Sequence, residues 1–216
     1  MQTKINWKNH FVGFVLVVAS ILLAFQLERW GESKQEKELV ELHLKEIIEE
    51  TKFNEQQLEV VIEKMESDVL KIDTLFQLID KGEDLVNINR LVFQLLDVRP
   101  PYVKKNAYNS FTTSGDIRFV EDFEQKSEII SLYEYHDQIE AFGELLLDSY
   151  EEGFWSYIRE ELDLRNARPQ PIEVYTERSF INGVSSYRYF LYRCLATYRT
   201  HEQRMEDFLE TFGTEA

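Results

Sequence analysis

A chain of 216 residues with 44% hydrophobic and 30% charged residues has the size of one domain and enough apolar material for a packed core, which excludes wholesale disorder. Forty acidic against 24 basic residues leave a formal charge of −16, and so acidic a surface repels phosphate backbones and argues against nucleic acid as a partner. Eight Gly and four Pro are too few for the turns of an all-β fold, and one Cys excludes an intrachain disulfide.

The first element is apolar. Phe11 to Leu27 (FVGFVLVVASILLAFQL) carries no charge, and only Ser20 and Gln26 are polar. Hydrocarbon about 30 Å thick needs roughly 20 residues of helix, so this run with its flanks predicts a transmembrane helix. Trp7 and Trp30 bracket it, where interfacial indoles belong. A cleaved signal peptide would want a small-x-small site after the run, and Ala24-Phe25-Gln26 does not supply one. Lys4, Lys8 and the amino terminus favour an N-terminus inside, although Arg29, Lys34 and Lys37 follow the span closely. The orientation read from this is N-inside, with the body outside the cytoplasm. Gly13, Val17, Ser20 and Ala24 fall on one stripe of the span, a small-residue face suited to membrane-helix packing.

Glu32 to Lys81 contains no Gly or Pro. Leu44, Ile48, Thr51, Glu55, Leu58, Ile62, Met65, Val69, Ile72, Phe76 and Ile79 follow a 4-3 spacing, which predicts one long amphipathic helix with a coiled-coil-like seam. That seam serves either the domain's own core or a two-stranded interface. Its first residues are nearly all charged and read as a solvated stalk, with Gly31 as a candidate hinge.

Gly82-Glu83-Asp84 predicts a turn, Asn87 to Asp97 a short helix stopped by Pro100 and Pro101, and Lys104 to Ser114 another, with Gly115 as a left-handed cap. Asp122 with Gln125 reads as a capping box opening a helix that runs to about Leu164, with the stripe Leu132, Tyr135, Ile139, Phe142, Leu146, Tyr150, Phe154 and Tyr157. Gly143 and Gly153 mark candidate close approaches. Asn166 to Pro171 is a loop, Ile172 to Thr176 a short extended stretch, and Arg178 to Phe212 the last helix, its start open to interruption at Gly183. Tyr187, Leu191, Cys194, Tyr198, His201, Met205, Phe208 and Phe212 share one face of it. The fold class that follows is all-α: an N-terminal transmembrane helix followed by a long-helix antiparallel bundle. The expected organisation is a membrane anchor at 1–30, a charged stalk at 31–43 and a helical bundle domain at 44–216.

Three stretches carry a resemblance. They are VLVVASILLAFQLERW, then AYNSFTTSGDIRFVEDFEQKSEIISLYEY with Tyr108, Thr113, Ser114, Gly115, Ile117 and Tyr133, and the closing SFINGVSSYRYFLYRCLATYRTHEQRMEDFLETF. Together they touch about half of the chain. They resemble an uncharacterised family of single-pass membrane proteins common in Bacteroidota, a domain of unknown function. This span is richer in Phe, and Glu28-Arg29 stands where asparagines are usual in that family. The resemblance implies an architecture and no catalytic residues.

Chemistry is sparse. The four histidines are His10, His43, His136 and His201, and no Glu-x-x-His pair occurs. His201-Glu202 lacks a second His at zinc-protease spacing, and His136 with Glu140 supplies only two ligands. No Walker loop and no dinucleotide fingerprint is present. Cys194 on an apolar stripe reads as core packing. The expectation is therefore no catalytic residue, no metal and no cofactor. Thr113, Ser114 and Gly115, in a loop with Thr112 and Asp116, read as helix capping, or else as a loop able to hold an anion. Arg188, Tyr189, Tyr192 and Arg199 form a candidate partner surface on the last helix, because Tyr and Arg are common binding anchors.

The function expected is a non-catalytic, membrane-anchored helical scaffold or accessory subunit that binds a protein partner, or a second copy, at the bacterial inner membrane. Its bundle lies on the periplasmic side and the lipid bilayer is its first partner. The alternative is an extracytoplasmic ligand-binding or sensory module, an analogy at the level of fold.

Overall fold

A computed structural model describes residues 7–82 and 84–213, with side chains from Phe11 onward. Lys4 and the amino terminus therefore lie outside the described residues, as do Glu83 and the side chains of Trp7, Lys8 and His10. The fold is all-α, and no strand occurs among the described residues.

Helix α1 (Trp7–Lys81) is a single 75-residue helix, roughly 110 Å long at 1.5 Å per residue. It passes from the apolar run through the charged stalk into the core. Gly31 does not interrupt it: an isolated Gly costs about 1 kcal/mol relative to Ala, and with no Pro nearby the flanking turns hold the ladder. Residues 11–32 are exposed throughout, and burial begins with His43.

Beyond that point α1 buries two adjacent rows. One is the seam, of which Ile48, Thr51, Leu58, Ile62, Met65, Val69, Ile72 and Ile79 are buried while Leu44, Glu55 and Phe76 are half-buried. The other is His43, Ile47, Glu50, Asn54, Val61, Asp68 and Leu75, at 4-3 spacing and then every seventh residue. Two rows side by side make a face wide enough to receive two neighbours.

Asp84, in the left-handed region at φ 59°, caps α2 (Leu85–Gln94) by accepting from the Asn87 N–H at 3.1 Å. The helix α3 (Asn106–Thr113) ends at Gly115, whose φ of 80° suits only glycine without strain. A 3₁₀ turn (Asp116–Phe119) then leads to α4 (Phe123–Ser149), capped by Asp122, which accepts from the Glu124 N–H at 2.8 Å and the Gln125 N–H at 3.3 Å. A π-helical turn (Tyr150–Trp155) joins α4 to α5 (Ser156–Glu161), so the helical path runs unbroken to Glu161. Its inward row is Ile129, Leu132, Tyr133, His136, Ile139, Gly143, Leu146 and Tyr150. Tyr135 and Phe142, expected inside, are half-buried; the fully buried positions beside them are His136 and Gly143.

Ile172–Thr176 is a helical turn, α6, rather than an extended stretch. The alternating Ile-Glu-Val-Tyr-Thr pattern suits a strand, but Tyr175 anchors the segment: its hydroxyl, fully buried, donates to Asn89 Oδ1 at 2.9 Å. Last comes α7 (Arg178–Phe212), unbroken through Gly183 and packed against α1, α4 and the π-helical turn. Arg188 pairs with Asp73 and Arg199 with Glu66, so α7 runs back along α1.

Candidate functional site

The apolar part of α1 is the first candidate. Among the described residues one helix is long and apolar enough to cross a membrane, with a window of mean hydropathy 2.2 of which none is buried. Gly13, Val17, Ser20 and Ala24 all lie in this exposed stretch, and a Cβ on Gly13 would meet nothing within 4 Å. The Ser20 hydroxyl donates to the Leu16 carbonyl at 2.8 Å, so the one hydroxyl of the run is satisfied within its own helix.

The second candidate is the outward face of α7. Residues 178–201 hold four Arg and no acidic residue, in a chain of charge −16. Tyr189 and Tyr192 project outward, 54% and 49% exposed. Arg188 pairs with Asp73 and lies 5.5 Å over the Tyr192 ring, while Arg193 donates to the Tyr189 hydroxyl at 3.1 Å. Arg199 pairs with Glu66. Each tyrosine is thereby held by an arginine one turn away on α7, Tyr189 by Arg193 and Tyr192 by Arg188, and Arg188 also ties α7 to α1, which lowers the rotamer entropy lost when a partner binds.

Thr113, Ser114 and Gly115 sit at the end of α3 beside α1. The Ser114 hydroxyl donates to the Phe111 carbonyl at 3.2 Å and accepts from the Asp116 N–H at 3.3 Å. Asp116 reaches His43 Nε2 at 3.1 Å, and the His43 ring stacks on Phe111 at 4.6 Å. The Ser114 hydrogen bond, followed by His43, holds the Asp116 carboxyl below its usual range. The Ser114 hydroxyl thus serves the local turn, and the Asp116 carboxylate docks the loop to α1.

The sequence reading missed a buried polar chain through the centre. Glu50 accepts from the Tyr133 hydroxyl at 2.6 Å and from the Ala107 N–H at 3.0 Å. Burial, followed by Glu50, pushes the Tyr133 phenol far above its ordinary value. One turn on, Asn54 grips the Lys104 backbone from both sides, accepting from its N–H at 2.8 Å and donating to its carbonyl at 2.9 Å. The same Asn54 amide nitrogen lies 3.4 Å from His136 Nε2. His136 meets His201 nearly edge to face, centroids 4.8 Å apart, and both are fully buried. Farther along α1, the buried Asp68 carboxylate binds Lys64 and, at 2.8 Å, Lys71. The separations of 7, 4 and 14 residues between His43, Glu50, Asn54 and Asp68, which put them on one helical stripe, were the signal that could have found this row.

Cys194 donates weakly to the Phe142 carbonyl at 3.4 Å, and burial pushes its thiol up to about 11, where nucleophilic thiolate is scarce. Among the described residues no group of three or more His, Cys, Asp or Glu is placed to hold a metal ion. An open groove of 1140 Å³ between the start of α4 and the end of α7 is lined by Phe123, Ser127, Arg204, Phe208 and Phe212 among others. Comparisons with protein-family models, with curated proteins and with solved structures find no match.

Proposed function

We propose that this chain is a membrane-anchored helical scaffold or accessory subunit that holds a protein partner at a bacterial inner membrane. In this reading Phe11–Leu27 spans the bilayer, the N-terminus is cytoplasmic, and the rest of the chain forms a long-helix antiparallel bundle in the periplasm. The kinship suggested by the three sequence stretches, with single-pass proteins of Bacteroidota, belongs to the same proposal. The observation that carries it is the state of α1: a strongly apolar segment with no protein covering it, continuous with a helix whose next half is buried in a packed core. Apolar surface of that extent needs a cover, and lipid supplies one at the length required.

The partner surface in this reading is the braced Arg188–Tyr189–Tyr192–Arg199 face of α7. Co-purification from native membranes tests it. A protein retained by the natural chain should be lost when Tyr189 and Tyr192 are both changed to Ala, with helicity unchanged. Retention by both, or by neither, contradicts this surface. The groove at Phe123 and Phe208 favours a second reading, an extracytoplasmic ligand-binding module, because it combines aromatic walls with Arg199 and Arg204. That reading requires a small molecule to co-purify and to be lost on Phe208→Ala, with α7 surface substitutions having no effect.

A further inference from the structure

The rings of His136 and His201 lie where α1, α4 and α7 meet, and neither exposes any surface. Buried polar atoms in folded proteins are almost always hydrogen-bonded, yet three of the four ring nitrogens here meet no protein partner among the described residues: His136 Nδ1, His201 Nδ1 and His201 Nε2. The fourth, His136 Nε2, faces the Asn54 side-chain amide. That amide cannot turn round. Its oxygen accepts from the Lys104 N–H and its nitrogen donates to the Lys104 carbonyl, so an NH₂ group points at His136 and Nε2 must accept. A proton on Nε2 would set one donor against another.

We propose that the His136–His201 pair is an acid-sensitive latch, whose protonation releases α4 and α7 from α1 and opens the half of the domain next to the apolar segment. That half includes the contacts of α1 with the α3–α4 connection, Lys37 with Glu121 and His43 with Asp116. The latch does not depend on whether Phe11–Leu27 enters a membrane.

Among the described residues no carboxylate reaches a ring nitrogen of the pair to balance an added charge. From α1 come Asn54 and Glu50, the latter spent on Tyr133 and Ala107. Glu55 on α1 lies near Glu59 and Glu206, and Glu202 on α7 joins the same acidic group. Ahead of α3 stands Lys105, held by Asp137 at 2.9 Å and Glu140 at 2.5 Å. From α4, Tyr133 meets the His136 ring at 4.8 Å and Tyr135 stacks on His201 at 5.7 Å. From α7, Arg204 lies 3.9 Å over Tyr135. The charges felt by the pair are thus cations. Burial first, then His201 and Lys105, brings His136 down to about 3; burial and then Arg204 bring His201 down to about 4. Both lie below the ordinary value of about 6.5, so the closed form excludes protons that an open form accepts. The stability at stake is fully present above about pH 6.5 and is lost progressively as pH falls toward those values.

Hydrogen exchange read by mass spectrometry on the full-length protein in detergent, at pH 7.5 and 5.5 and corrected for intrinsic rates, tests the latch. One pH unit below the ordinary histidine value favours the open form about tenfold per imidazole. Protection of peptides covering 129–140 and 195–205 should therefore fall on the order of 100-fold, with α2 much less affected. His201→Phe, which loses no hydrogen bond, should cut the fall to about tenfold. Should the Phe ring prevent folding, as seen by near-ultraviolet dichroism, His201→Leu makes the same comparison. An equal fall in the natural chain and the variant, or a fall as large in α2 as around the pair, overturns the proposal.

Discussion

A Cβ placed on Gly183 would lie 3.0 Å from both the backbone nitrogen and the Cα of Phe154. Here α7 crosses the π-helical turn with backbone against backbone. The tightness is one-sided: a Cβ on Gly153 would sit 3.4 Å from the Gly183 Cα, an ordinary contact. Gly183→Ala should cost about 1–3 kcal/mol by forcing the two helices apart, even though Ala is the better helix former. Gly153→Ala should be nearly neutral. Chemical denaturation of the two variants in detergent separates them, and equal stability would show that the crossing relaxes freely.

The buried carboxylate of Glu50 makes a second prediction. Its two oxygens are taken by the Tyr133 hydroxyl and the Ala107 N–H, so the interaction ties α1 to α3 and α4 at once. Tyr133→Phe should cost about 1.5–3 kcal/mol, the usual size for a hydrogen bond to a charged group. Glu50→Leu should cost at least as much, because it strands a buried hydroxyl and a buried amide. The double variant should be less destabilised than the sum of the singles by about 0.5–3 kcal/mol. Strict additivity in a double-mutant cycle would deny the coupling.

How much of this was legible beforehand depended on residue type. The last helix was read at Arg178 to Phe212, the bounds observed, because its inward positions are nearly all apolar or aromatic. The inner row of α1 was not legible as a core row. His43, Glu50, Asn54 and Asp68 occupy it, and a hydrophobic pattern passes over polar residues whose partners come from distant parts of the chain. The same blindness misplaced two members of an otherwise buried row on α4, Tyr135 for His136 and Phe142 for Gly143, since aromatic rings score as apolar and histidine and glycine do not. At Ile172–Thr176 local alternation suggested an extended chain. Tertiary burial of Tyr175 decided otherwise, a case of packing overriding propensity. The exposed tyrosines of α7 were legible as surface, but the arginine braces around them were not, because Asp73 and Glu66 lie more than a hundred residues away.

Two kinds of substitution in α1 should part company. Val69 is buried among apolar neighbours, so Val69→Asp places an unpaired charge in the core and should cost more than about 4 kcal/mol, enough to unfold the domain. Replacing Ser20 and Ala24 by Leu alters a face that touches no other part of the chain, so folding should be untouched while any association between spans in lipid weakens. Circular dichroism with sedimentation in detergent, and energy transfer between labelled chains in vesicles, read the two effects. A folded Val69→Asp protein that has merely lost self-association would make the seam an interface between chains.

The proposal that Phe11–Leu27 spans a membrane is tested most directly by extraction of native membranes with alkaline carbonate, which strips peripheral proteins and leaves spanning ones. The full-length chain should stay in the pellet, while a chain beginning at Ser33 should appear in the supernatant with its helicity intact. Release of the full-length chain by carbonate alone would contradict a spanning helix at Phe11–Leu27.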